Sequence, residues 1–228
     1  MLSKVVGIFF VLLLVAGVPA LSFVTARRSQ LRLLPRSTLY FSAVISQWVL
    51  ALLGLGIVLL SSSFSVIGFR GVSADSFLRW TALLSFVSLA ASGLVLLLER
   101  QGWWPAESEL VRLLLPETRR EKLWAVLVLA PTAAFCEEFL YRGYLLAQFL
   151  QCFHSVSWGW GASSVAFGLA HTYQGFGGVV RAALLGALLA YPVMRLGSLY
   201  PSMAAHFLID AVALAWLGPR FLAPKPRP

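Results

Sequence analysis

Glu137, Glu138 and Asp210 are three of only nine acidic residues in a chain of 228, and each interrupts an otherwise apolar stretch. Arg142 shares the first of these stretches, while His171 and His206 sit in two others. An ionised side chain near the centre of a bilayer costs about 2.5–3.5 kcal/mol. Four such groups, unpaired and additive, would cost about 10–14 kcal/mol, comparable to the whole stability of a domain. They must therefore face one another, or water, inside a bundle. Spacing then divides them. Glu138 and Arg142 are four apart, on one helical face and able to pair. Glu137 lies about 100° round and shares a face with Tyr141, which leaves one carboxylate neutralised and one free. His171 follows Phe167 by four, and His206 precedes Asp210 by four. A glutamate with a histidine can polarise water, and a donor pair can stabilise an oxyanion. Together they allow hydrolysis of an acyl bond, which in a membrane is most naturally a peptide bond in or beside a spanning segment.

Each part also has a plain structural reading. Glu138–Arg142 can be a buried structural pair, each histidine a packed and hydrogen-bonded residue, and His206–Asp210 a helix-stabilising pair. His154 falls in a short loop and reads as a bystander. Three polar clusters in three apolar segments, with few other charges in any span, are nevertheless hard to explain by packing, so one shared site is expected.

The elements that must carry this site are spelled out by composition. The chain is 59% hydrophobic and 12% charged, with a mean hydropathy of +0.83. These values exclude a soluble globule, a disordered chain and a nucleic-acid module. Seven apolar segments can be drawn, approximately Val5 to Phe23, Leu39 to Leu60, Phe77 to Leu98, Leu123 to Leu150, Trp158 to Thr172, Val179 to Leu196 and Leu199 to Leu217. All read as helices, because open sheet edges cannot be satisfied in lipid. The expected fold class is all-α, a polytopic membrane bundle of about seven helices with an intramembrane active site. Pro131 predicts a kink or interruption in the fourth segment, and the glycine-flanked fifth is too short to be a sure span. Trp103 to Lys122 reads equally as an amphipathic surface helix or as an ordinary loop. The four arginines at 27, 28, 32 and 36 favour a retained first helix over a cleaved signal peptide. Placing that loop in the cytoplasm puts thirteen of the 18 Lys and Arg on that side. The bias predicts an outside N-terminus and a cytoplasmic C-terminus. Cys136 and Cys152 imply no disulfide framework.

Other intramembrane protease signatures are missing: there is no HExxH and no paired GxGD. Ser163 and His171 are too far apart on one helix to act as nucleophile and base, and apolar neighbours would keep Cys136 a neutral thiol. What is present is Glu137-Glu138-Phe139-Leu140-Tyr141-Arg142, then Phe167-Gly168-Leu169-Ala170-His171, then His206-Phe207-Leu208-Ile209-Asp210. These resemble the EExxxR, FxxxH and HxxxN/D motifs of the CPBP family, the CAAX-protease and bacteriocin-processing proteins also called Abi. The resemblance covers roughly Leu123 to Leu217. It divides the chain into N-terminal helices and loops (1–122), a catalytic core (123–217) and a short basic, Pro-rich tail (218–228).

The resemblance implies an intramembrane endopeptidase of the glutamic type, often labelled a metalloprotease. Glu137 would activate water, His171 would help position it, and Glu138 with Arg142 would hold the charge balance. His206 and residue 210 would form the oxyanion site. Members with Asn at the last position differ from this chain, because an ionised Asp210 cannot donate a hydrogen bond. Asp210 is then protonated through burial, or orients His206, or helps to bind a metal. No cofactor is the favoured expectation, with zinc on Glu137, His171 and His206 as the alternative. The expected partners are the lipid bilayer and a membrane-anchored or lipid-modified protein or peptide substrate, with no nucleic acid. The compact chain looks like a bacterial member, in the inner membrane. A bacteriocin-immunity or signalling scaffold is the non-proteolytic alternative, and a small transporter using Glu137 and Asp210 as proton relays is a third.

Overall fold

The computed structural model describes residues 2–61, 67–106 and 108–217, so the basic tail falls outside the described residues. Within them the fold is all-α, without a strand. The helices are α1 (Val5–Ala26), α2 (Arg36–Leu60), α3 (Ala74–Gln101), α4 (Glu109–Leu114), α5 (Arg119–Phe153), α6 (Val156–Ala170), α7 (Phe176–Leu196) and α8 (Tyr200–Val212), the last continued by a wider turn at Ala213–Leu217. Five of them, α1, α2, α3, α5 and α7, are long and apolar enough to cross a membrane, the pattern of an integral membrane protein. Seven spans were expected. The other two expected segments form α6, of 15 residues, and α8, of 13.

Pro131 does not break the fourth span. The helix runs through it, and a π-helical turn at Ala125–Leu129 stands directly before. A proline lacks its N–H and crowds the carbonyl four residues back. A wider turn upstream relieves both problems. The same device precedes Pro19, where Leu13–Gly17 widens inside α1. Helix starts are set by side chains. Thr118 and Glu121 form a capping box at α5, and Ser73 and Ser155 accept from the backbone at α3 and α6.

The stretch Trp103 to Lys122 is not one continuous amphipathic helix: it holds the six residues of α4 and, from Arg119, the first turn of α5. Side chains from α2 pin it. The Arg36 Nε donates to the Leu113 carbonyl at 2.9 Å, its two terminal nitrogens meet both Glu117 oxygens, and Tyr40 donates to the Leu114 carbonyl at 2.8 Å.

Glycines let α6 and α7 approach closely. A Cβ on Gly168 would lie 2.7 Å from both the Val179 carbonyl and the Ala183 Cβ, whereas one on Gly161 of the same helix would meet nothing within 4 Å. Outward faces carry Phe9, Leu52, Phe86 and Leu127, each more than half exposed, as suits hydrocarbon rather than water. Gly168→Ala is therefore expected to destabilise by about 1–3 kcal/mol through overpacking. Gly161→Ala should stabilise by up to about 1 kcal/mol through helix propensity. Thermal unfolding of the two variants in detergent measures the contrast, and a Gly168→Ala midpoint equal to wild type would refute the close-packing account.

Candidate active site

The two adjacent glutamates fall at a change of helical geometry. Ala130–Glu137 is α-helical, whereas Glu138–Leu145 is π-helical, a rare geometry that is frequent at functional sites. Glu138 is fully buried, and Arg142 on its own helix puts Nη1 3.0 Å from Glu138 Oε1. The His206 Nδ1 donates to the same oxygen at 2.7 Å from α8. Arg142 is held in turn by the Phe167 ring of α6, 3.8 Å beneath its guanidinium carbon, and by the Gly186 carbonyl of α7 at 3.4 Å. A desolvated cation over an aromatic face is a favourable contact.

Glu137 has a different environment. Its side chain keeps 16% exposure. Oε1 accepts from the Gln47 Nε2 of α2 at 2.9 Å, while Oε2 faces His171 Nε2 at 3.8 Å and His206 Nε2 at 3.9 Å. Neither gap is a direct hydrogen bond. His171 caps the end of α6, and its Nδ1 donates to the Phe167 carbonyl at 2.8 Å. In the neutral ring that bond leaves the lone pair on Nε2, aimed at Glu137. Asp210 lies 3.6 Å from His206 Nε2, so the i, i+4 neighbour is the looser of the two carboxylates against this ring, and Glu138 the tighter.

The backbone after His171 is clamped from two sides. Thr172 donates to the Pro19 carbonyl at 3.1 Å, and the Tyr173 N–H donates to Ser22 Oγ at 3.0 Å, both on α1. Ser108, just before α4, donates through its hydroxyl to the Tyr173 carbonyl at 2.6 Å. These bonds fix the end of α6 and with it the position of His171.

All the residues singled out by motif thus meet in one cluster: Glu137, Glu138, Arg142, His171, His206 and Asp210. His154 stands elsewhere, at the end of α5, with a left-handed backbone. The Ser163 hydroxyl donates to the Tyr141 carbonyl at 2.8 Å, and both cysteines are free thiols. Gln47 was missed. Its signal was a lone side-chain amide in the apolar stretch Leu39 to Leu60.

A catalytic zinc would require ligands converging at about 2.0–2.2 Å on one point. Among the described residues no group of three or more His, Cys, Asp or Glu side chains has metal-holding geometry.

Residues 119–212, from the start of α5 to the end of α8, match the family model described as type II CAAX prenyl endopeptidase Rce1-like. This helical core is similar to the Rce1-like family. The matched segment contains every motif residue above, and it agrees with the resemblance read from the three motifs. No curated protein and no solved structure matches the chain. An Rce1-like core supports proteolysis as the class of reaction.

Removing Arg142 from this core leaves Glu138 buried without its cation. Arg142→Met is expected to cost about 3–5 kcal/mol. Adding Glu138→Gln should recover more than half of that loss, because both charges then leave together. Unfolding in detergent of the wild type, both single variants and the double variant measures the coupling, and strictly additive losses would refute it.

Proposed function

We propose that the chain is an intramembrane endopeptidase that cuts a membrane-anchored, prenyl-modified protein near its lipid, using water activated by Glu137. The observation that carries this reading is the gap at Glu137 Oε2, flanked by the Nε2 atoms of His171 and His206 at 3.8 and 3.9 Å. The other polar atoms of the three side chains are committed elsewhere, Oε1 to Gln47 and the two Nδ1 atoms to Phe167 and Glu138. Three groups thus converge on a space that suits a water molecule.

In this mechanism Glu137 takes a proton from the water as its oxygen bonds to the scissile carbonyl carbon. His171, with its tautomer fixed by the Phe167 carbonyl, accepts a hydrogen bond from the water's other O–H, which stays with the attacking oxygen, and so orients the attack. His206, held through Nδ1 by Glu138, carries a proton on Nε2 as well and donates it as a hydrogen bond to the developing oxyanion. Asp210 supports that doubly protonated ring. Collapse of the tetrahedral intermediate breaks the C–N bond, and Glu137 returns its proton to the leaving amine. Glu138 and Arg142 keep the charge balance without touching substrate.

Glu137→Gln should lower turnover by about 10²–10⁴-fold with the fold intact, and His206→Ala by about 10²–10³-fold. The assay compares peptide termini in membranes from cells carrying wild type or Glu137→Gln at matched protein levels. A precursor that accumulates uncut only with the variant is the expected result. Identical termini would overturn the reading in favour of a non-proteolytic scaffold.

A further inference from the structure

The Gln47 amide has two ends in opposite situations. Nε2 donates to Glu137 Oε1 at 2.9 Å, whereas Oε1 is buried without a hydrogen-bond partner among the described residues. An unfilled buried acceptor is destabilising, and a leucine of similar size would avoid it. Closure of the seam between α2 and α5 does not need this amide. The adjacent Trp48 fastens the seam, stacking on Phe135 with ring centroids 5.4 Å apart and donating its indole N–H to Thr132 Oγ1 at 3.3 Å. The use of Gln47 therefore lies at its donor end, on Glu137.

We propose that Gln47 is a positioning residue for Glu137: by occupying Oε1 it turns Oε2 toward the two histidines and makes Oε2 the oxygen that carries the proton. The inference rests on the hydrolytic reading above. When water gives its proton to Oε2, Oε1 keeps the Gln47 hydrogen bond. The same proton later departs with the amine and the carboxylate is restored, so Gln47 exchanges no proton itself. A neutral amide suits the task. A lysine or arginine would pair with Glu137 and compete with the histidines for it, and a serine hydroxyl would fall short from the same backbone position. The geometry also brings α2, which lies outside the family match, into the machinery of the core.

The test uses the full-length chain in proteoliposomes with a farnesylated CAAX peptide as substrate, comparing wild type, Gln47→Leu, Glu137→Gln and the double variant. Gln47→Leu is expected to lower kcat by about 10- to 100-fold with KM within about twofold of wild type, as removal of an orienting contact does. Its thermal midpoint should stay close to that of wild type, because losing the unfilled Gln47 Oε1 offsets the donor that Glu137 Oε1 forfeits. In the Glu137→Gln background the same change should cost less than about twofold, because the two residues act as one unit. A Gln47→Leu enzyme with near wild-type kcat would overturn the proposal, and so would a kcat loss matched by a fall in thermal midpoint or repeated in full in the Glu137→Gln background. Equal activity of wild type and Glu137→Gln, or none in either, would instead overturn the hydrolytic reading and the proposal with it.

Discussion

A carboxylate sealed inside an apolar bundle must be matched by partners that come to it, and Glu138 dictates much of this structure. It draws Arg142 from its own helix and His206 from α8 onto one oxygen. Arg142 then needs neighbours of its own, which α6 and α7 supply as the Phe167 ring and the Gly186 carbonyl. One buried charge thereby fixes how four helices meet. The small residues follow from the same demand. A Cβ on Gly186 would lie 3.3 Å from Arg142 Nη2 and 3.1 Å from the Phe167 ring, so a side chain there would crowd both the guanidinium and the ring that holds it. A buried ion network of this kind stabilises little by itself, because desolvation offsets attraction. Its effect is geometric: it holds His206 with Nε2 turned toward the neighbouring glutamate.

Two carboxylates adjacent in sequence consequently have unlike environments. Glu138 is fully buried against a cation and an imidazole. Glu137, one residue earlier and on another face, meets an amide on one oxygen and an open gap on the other. The change from α-helical to π-helical winding falls between them. Hydrogen bonds from α1 and from the connection before α4 hold the backbone after His171, so elements outside the family match still set the geometry of the cluster.

Much of this was legible in the sequence because charge is so conspicuous in apolar surroundings. Glu137, Glu138, Arg142 and Asp210 stand out against their neighbours, and their spacing already paired Glu138 with Arg142. Local spacing misjudged His206, whose tighter partner lies 68 residues away on α5 rather than four away on its own helix. Gln47 escaped notice because an amide bears no charge, and its importance comes only from what α2 packs against. Each of the seven apolar segments contains a helix, and five of those helices are long and apolar enough to span. Hydropathy marks apolar runs but not where a helix stops: α6 ends at Ala170, within the segment drawn through Thr172. Pro131 reads in sequence as a kink or interruption, whereas the helix runs through it, and the wide turn before it has no signature in residue type.

Those wide turns have a further consequence, for angular phase. A π turn holds one residue more than an α turn, so each one stores a surplus residue that resets the rotation of everything beyond it. In an ideal α-helix one residue is worth about 100°. Between the capped start of α5 and the glutamates, the turn at Ala125–Leu129 acts as a phase setting for the pair. A family member could keep every motif residue intact and, by losing one apolar residue from that turn, send Glu137 toward lipid. In this chain the dial is cut in leucine, valine and alanine, residues that look interchangeable in sequence yet decide by their number which way the acid points.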